Sequence, residues 1–405
     1  MKKQFLSQFL IALFSITCFS QFSKTHYIPP LSNTPNASQT AEEQYIYVSC
    51  PSITPINFKI KQIGGSIILG TVARDTPYVY SIGSGNGTQL LFDATDVNTI
   101  KSNKGYIIEA DDLVYVSVRL TSGGQNQAGG IVSKGLAALG TQFRIGAFTN
   151  IDPPSTANGN YYTFASILAT ENNTTISFSD IKTGTVLFNN AAAGNTPSNV
   201  VLNAGQSFVI ATNCLNVASR DGLIGAKITS DKPIAVNCGS FIGSNATTGN
   251  IDIGTDQIVS VERTGKEYIF IKGNGLDNNE KPLIVADVNN TQVFLNGSST
   301  AFATLNAGQY LALSGSQFSA NGSLYVKTSQ NVFAYQGIGG TINQYNQNLH
   351  FLPPLSCETP KVINNIPLIN QVGADNSYIA TVNLVTEVGG ALTFTINGTN
   401  YTYAS

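Results

Sequence analysis

The sequence predicts an all-β chain of tandem β-sandwich-like modules with an internal repeat of about 100 residues. Three observations carry that reading. First, one phrase recurs: Gly105–Val118 reads GYIIEADDLVYVSV, Gly225–Gly239 reads GAKITSDKPIAVNCG and Gly322–Gly337 reads GSLYVKTSQNVFAYQG. Each copy has a β-branched or aromatic run, a polar centre that reads as a turn, and a second alternating run. Second, a matched phrase precedes two of the copies, Leu202–Ile210 (LNAGQSFVI) and Leu305–Leu313 (LNAGQYLAL). The step from Ile228 to Val326 is about 98 residues, the size of a sandwich, whereas a propeller blade takes about 40–50. Third, apolar residues alternate with period two between Gly, Asn and Asp clusters. No long window shows a helical stripe; the best helix candidate, Ile131–Leu139 (IVSKGLAAL), is weakened by Gly135.

Taken in order, residues 1–20 (MKKQFLSQFLIALFSITCFS) combine a basic start at Lys2 and Lys3 with a short apolar run. They read as a signal peptide, too short to span a bilayer. A lipoprotein reading would make Cys18 the modified residue. Residues 21–43 carry prolines without periodicity and read as an extended lead-in. Residues 44–149 hold the runs YIYVS, INFKI, SIILGTV, YVYSI, GYIIEA and LVYVSVRL, the first β module. A Pro/Gly/Asn linker opens the second, 150–264, and the third occupies 265–349. Residues 350–375 form a proline-rich joint, and 376–405 read as the start of a truncated fourth β unit. No transmembrane segment is expected in the mature chain.

Composition narrows the function. Loss of the leader takes two lysines and no acids, moving the formal charge from -2 to -4. No basic cluster remains, so a nucleic-acid partner is not expected. Charged residues are 11%, against about 25% in ordinary soluble domains, and the polar load falls on Asn, Thr, Ser and Gly. Cys50, Cys214, Cys238 and Cys357 remain after cleavage. An export route permits disulfides; a Cys214–Cys238 bond is the favoured pairing, Cys50–Cys357 the lesser, and four buried thiols the alternative.

Motifs for catalysis are sparse. His26 and His350, the two histidines, lie in proline-flanked segments outside the strand-rich units, where nothing orients a general base. No G-x-S-x-G or H-E-x-x-H occurs, and no cofactor is implied. Ser179–Lys182 fits S-x-x-K and Lys182–Gly184 fits K-T-G, yet they overlap in one expected hairpin turn. The loop Gly123–Gly130 (GGQNQAGG) lacks the Gly-Lys-Ser/Thr ending of a phosphate cradle. Asp93/Asp96, Asp111/Asp112 and Asp252/Asp256 offer oxygens for calcium without EF-hand spacing, so no metal site is assigned. Tyr161, Tyr162, Tyr335 and Tyr345 would form a sugar-stacking platform if exposed, and are ordinary strand residues if not. Sequons such as Asn172-Asn173-Thr174 read as turns.

Several phrases resemble the IgGFc-binding protein N-terminal domain family: Ala138–Phe143 (ALGTQF), Phe164–Ile176 (FASILATENNTTI), Ser230–Gly239 (SDKPIAVNCG) and Asp256–Tyr268 (DQIVSVERTGKEY). The likeness covers roughly residues 105–345. KTHYIPPL (Lys24–Leu31), YQGIGG (Tyr335–Gly340) and FLPPLSCETPKVINNIPLI (Phe351–Ile369) look like Bacteroidota surface proteins that carry this domain with a gliding-motility or type IX secretion C-terminal domain. The resemblance implies an extracellular, non-enzymatic adhesion or binding module with a protein or glycan ligand at the bacterial surface, and no catalytic residues. A carbohydrate-binding accessory module is the alternative; a glycoside hydrolase would need two facing carboxylates.

Overall fold

The computed structural model of the chain describes residues 21–33, 40–150, 161–189, 197–245, 251–341, 346–356, 367–375, 382–386, 389–396 and 399–404. Three strands of 17 residues organise it: Tyr106–Ser122, Lys227–Gly243 and Ser323–Gly339. They are the recurring phrase, and each is one continuous strand. The expected strand-turn-strand reading is corrected here. A hairpin would pair its two halves with each other, whereas here each half pairs with different neighbours.

The first sheet uses β1 (Ser23–Ile28), β3 (Ala41–Ser49), β4 (Ile56–Gln62), β5 (Ile67–Val72), β6 (Tyr78–Gly83), β9 (Tyr106–Ser122) and β10 (Gln127–Val132). Between them, β2 (Leu31–Ser32) pairs with β7 (Leu91–Phe92), and β8 (Ile100–Lys101) crosses to the second sheet. The early half of β9 lies in a layer ordered β1-β9-β4-β5, and its late half in a layer ordered β10-β9-β3-β6. One bent strand thus serves both layers of a sandwich, the corner device of crossed sheets.

The second sheet repeats this with β11 (Gly140–Arg144), β12 (Tyr162–Ala169), β13 (Thr174–Ser179), β14 (Val200–Leu202), β15 (Ser207–Asn213), β16 (Lys227–Gly243) and β17 (Asp252–Ile258). Its layers are β11-β16-β13-β14 and β17-β16-β12-β15. The third uses β18 (Gly265–Ile271), β19 (Lys281–Ala286), β20 (Thr291–Leu295), β21 (Ala303–Leu305), β22 (Tyr310–Ala312), β23 (Ser323–Gly339) and β24 (Asn346–Phe351), layered β18-β23-β20-β21 and β24-β23-β19-β22. Strand for strand, the topology is the same. The sequence repeat is therefore a structural repeat, all-β and tandem.

Near the middle of each long strand a small polar side chain turns onto the neighbouring strand. Asp111 Oδ2 accepts from Asn57 Nδ2 (3.1 Å), Asp231 Oδ1 from Thr175 N (2.7 Å) and Ser329 Oγ from Gln292 N (2.9 Å). The LNAGQ phrases are equally literal. In both, the central Gly (Gly205, Gly308) has φ 78, and a Gln side chain accepts from the Asn backbone N–H at 2.8 Å. Asn172 Oδ1 and its counterpart Asn289 Oδ1 accept the N–H of the Ala in each phrase, Ala204 and Ala307. Gly suits this turn because the left-handed backbone disfavours side chains with a Cβ.

Cores run across the modules. One apolar cluster joins Ile46, Val48, Phe58, Ile108 and Val116 of the first module to Tyr162, Phe164, Val209 and Phe241 of the second. Another joins Ile167, Phe178, Ile228 and Val236 of the second to Leu283, Val285, Phe333 and Tyr335 of the third. A smaller one lies within the third, around Ile284, Val326 and Val332. The open side of one module is covered by a face of the next.

Several local expectations change. Ile131–Leu139 is the end of β10 followed by a single 3-10 turn, Gly135–Ala138. Gly135 has φ 57, and a Cβ there would meet the Ser23 Cβ at 2.3 Å. Ser23–Ile28, expected in the lead-in, forms β1 because Ser23, His26 and Ile28 are buried against β9. His26 and His350 both sit in strands, β1 and β24, and not outside the modules. Residues 1–20, expected to be a signal peptide, fall outside the described residues. Of the last segment, β25 (Ala391–Ile396) and β26 (Thr399–Ala404) form an isolated hairpin.

Candidate binding faces

The buried ionisable groups are committed to holding modules together. Strands β10, β17 and β24, one from each sheet, meet side by side. Their free edges are satisfied by side chains in place of a ladder. Asp252 Oδ1 accepts from Ala128 N (2.9 Å) and Asn348 Oδ1 from Thr255 N (3.1 Å). Asp256 accepts from Val132 N, Phe351 N and Gln257 N, each at 2.9 Å, and pairs with Lys134 Nζ at 2.9 Å. That ion pair is 7% and 4% exposed. Burial pushes the Asp252 carboxyl up to about 8. These two aspartates, one of the three pairs weighed for calcium, instead accept backbone N–H groups. Among the described residues, no three His, Cys, Asp or Glu stand together as a metal site.

Neither histidine faces solvent as a free base. His26 Nε2 lies 3.1 Å from Val114 O and 3.2 Å from Ser23 O, so that nitrogen carries the proton, and Nδ1 lies 2.9 Å from the Ser133 hydroxyl, which also donates to Gln257 Oε1. Burial lowers its pKa to about 4. Burial also lowers His350, opposed by the nearby Asp256. Arg144, on β11, is 2% exposed and spans the second and third modules: Nε donates to Asp287 Oδ1 at 2.7 Å, and Nη1 to Asp180 Oδ2 at 2.5 Å and Gly225 O at 2.9 Å. Sequence reasoning missed Lys134, Arg144, Asp256 as a pin, and Asp287. The only signal was their rarity in a chain with 11% charge.

Cys50, Cys214 and Cys238 are free, buried thiols. The expected Cys214–Cys238 bond is not formed, and the register gives the reason. Cys238 is opposite Ala165 on β12, whereas Cys214 directly follows Asn213, which is opposite Tyr162. They are two strand spacings apart laterally and several residues apart lengthwise, on the order of 15 Å, against an upper bound of about 7 Å between bridged Cα atoms. Burial pushes both thiols up to about 12. Cys357 lies outside the described residues.

The remaining motifs resolve into packing. Lys182 Nζ pairs with Asp221 at 2.6 Å, and Ser179 only ends β13, so S-x-x-K and K-T-G are a surface turn. In the Gly123–Gly130 loop, Gly124 N and Gln125 N already donate to the Glu42 carboxylate at 2.8 and 2.7 Å. Gly130 is required by contact: a Cβ would sit 1.9 Å from Val118 O. Tyr161, Tyr162 and Tyr335 are fully buried, so the sugar-stacking platform is overturned for them. Tyr345 lies outside the described residues. A shallow hollow of about 340 Å³ lined by Asn98, Ile100, Ser198, Val200, Val201 and Phe208 carries no ionisable side chain.

What faces water is the outer surface of the first layer in each module. In the first, the registers set Lys59 between Leu69 and Glu109, and Lys61 between Ile67 and Ile107. Ile67 and Leu69 are 57% and 69% exposed, and Lys61 pairs with Glu109 at 2.5 Å. The same face of the second module is a hydroxyl ladder, Ser177 against Thr229 (3.2 Å), beside exposed Val201. In the third, Lys327 lies between Phe294 and Glu267, with Tyr325 beside Ile269. The alternation that buries Ile60, Ile108, Ile228 and Val326 forces these neighbours outward. The chain thus presents one architectural face three times with three chemistries.

A model of the family described as IgGFc binding protein matches residues 131–404, more than half of the chain. No curated protein and no solved structure matches. Among the described residues no helix is long and apolar enough to cross a membrane.

Proposed function

Since the chain belongs to the IgGFc-binding family, we propose that it is an extracellular, non-catalytic binding protein that holds a protein ligand through its repeated outer sheet faces. One observation carries the reading: buried charges link modules to each other, while the same flat outer face recurs along the array, lined by apolar and charged residues in the first and third modules and by hydroxyls in the second. Flat mixed faces of this kind suit protein contact, and repetition multiplies weak contacts. Of the four tyrosines weighed for the glycan alternative, Tyr161, Tyr162 and Tyr335 are buried, which favours the protein reading. The opening Lys2-Lys3 and apolar run support export, and the KTHYIPPL and FLPPLSCETP phrases support a bacterial surface.

The test is a pull-down of the full chain against extracellular protein fractions, an immunoglobulin Fc fragment and a glycan array. Ile67→Asp with Leu69→Asp should weaken capture of a protein ligand without lowering the unfolding temperature. Binding confined to glycans, or turnover of a polysaccharide, would overturn the proposal.

A further inference from the structure

The second and third modules each dock on their predecessor through the same cross-strand pair. Ser166–Asn237 in the second corresponds to Leu283–Tyr335 in the third. Asn237 Nδ2 donates to Pro29 O of the first module at 2.8 Å, and the Tyr335 hydroxyl donates to Arg144 O of the second. The equivalent pair in the first module is Tyr47–Ser117, flanked by Tyr45–Arg119. Among the described residues no module precedes the first, yet this face is covered. Residues 367–375, which follow the third module in the chain, lie on it. Arg119 Nη1 donates to Leu368 O (2.5 Å) and Gln371 O (2.8 Å), and Nη2 to Pro367 O (2.8 Å). The guanidinium sits 4.1 Å from the centre of the Tyr47 ring, whose hydroxyl accepts the Gly373 N–H at 2.7 Å. Tyr47 is fully buried, and Val372 is 7% exposed.

Two details mark this as a built site. The positions equivalent to Arg119 are Gly239 and Gly337, so of the three modules the first alone carries the fork of donors. Gly373 has φ 61, where a side chain with a Cβ is strained, and a Cβ there would fall 2.2 Å from the Tyr45 ring, so the turn favours glycine. Three carbonyls converging on one guanidinium give charge-assisted bonds that a chance surface contact does not.

We infer that Pro367–Asp375 is a closing strap. It takes the place of a preceding module on the first module and blocks that docking face until it is released. Its partner is this chain itself, and the recognition element is a turn whose carbonyls converge on Arg119.

Hydrogen exchange on the full chain tests the first half. In the wild type the Gly373 amide should be protected, and Arg119→Gln should speed its exchange by at least about tenfold, the loss of one charged hydrogen bond or more. Free exchange at Gly373 in the wild type would refute the strap. The second half uses Gly373→Val, which should eject the strap by collision with Tyr45 while leaving Arg119 and Tyr47 in place. A labelled synthetic peptide of residues 367–375 should bind this variant saturably. It should not bind the wild type, where the tethered strap competes at an effective concentration on the order of millimolar. Binding should vanish in the Gly373→Val/Arg119→Gln double variant. Peptide binding that is equal in wild type and Gly373→Val, or absent from a Gly373→Val chain of native circular dichroism, would sink the docking-face assignment.

Discussion

Replacing Asp256 by Ala should destabilise the whole array, because one carboxylate serves all three modules. It accepts three backbone N–H groups and pairs with Lys134, all at 2.9 Å. Truncation leaves an ammonium that is 7% exposed without its partner. Breaking a buried ion pair from one side costs about 3–5 kcal/mol, and the orphaned N–H groups of Val132 and Phe351 place this site toward the upper end. Lys134→Met removes the cation and leaves the carboxylate with its three donors, so it should cost less. The double variant holds no uncompensated charge and should recover about 1–3 kcal/mol relative to the sum of the singles. The assay is urea unfolding read by far-UV circular dichroism and tyrosine fluorescence, since Trp is absent. Coincident transitions from the two probes would establish that the modules unfold together. Asp256→Ala within about 1 kcal/mol of the wild type, or additive single and double variants, would refute the pin.

Stability should also depend on pH in two opposite windows. Asp252, pushed up to about 8, favours the protonated folded state; its contribution is present at acid pH and is lost as pH rises from near 4 to 8. Asp252→Asn keeps an oxygen for Ala128 N and Ile253 N, so it should gain over the wild type above pH 8 in thermal melts and converge with it near pH 4. His26, lowered to about 4, favours the neutral folded state, so stability should fall as pH drops from 6.5 to 4. His26→Phe, which copies the equivalent Phe143 of the second module, should flatten part of that acid limb. Gly225→Ala should separate the second and third modules, because its Cβ would lie 1.9 Å from Gly308 O at φ 87; a loss of more than about 2 kcal/mol in the same urea assay is expected. Cys214 and Cys238, buried with thiols near 12, should resist alkylation in the native chain and react on unfolding, read by peptide mass mapping.

The strands and their repetition in tandem modules were legible because strands obey a local rule. Alternation in SLYVKTS and AKITSD exposes which residues face inward, and the two LNAGQ turns are encoded by a Gly that only a left-handed backbone requires. Continuity of the long strands was not legible. Asp111-Asp112 and Ser329-Gln330 have the composition of a turn, and only their cross-strand partners decide that they bend one strand. The pins were hidden for a related reason. Lys134, Asp256 and Phe351 are far apart in sequence, and a lone Asp in a strand gives no local hint that it will cap two foreign edges. The outer faces follow from the same alternation, but which of them is broad and apolar depends on β5. That strand has six residues, whereas β14 and β21, its equivalents, have three.

The match to the family begins at Ile131, inside β10, and this boundary is not a boundary of folding. The residues before it form a sheet of the same topology as the two inside the match. They also cover the second module: Phe164, Val209 and Phe241 pack with Ile46 and Val116, and Asn237 donates to Pro29 O. A chain cut at residue 131 would expose that apolar face and orphan the Asn237 amide. It would also remove Arg119 and Tyr47, the seat of the strap, while keeping the strap itself. The cooperative unit is therefore the array from β1 to the strap, and a fragment chosen by the family match alone should aggregate or unfold where the longer chain is stable.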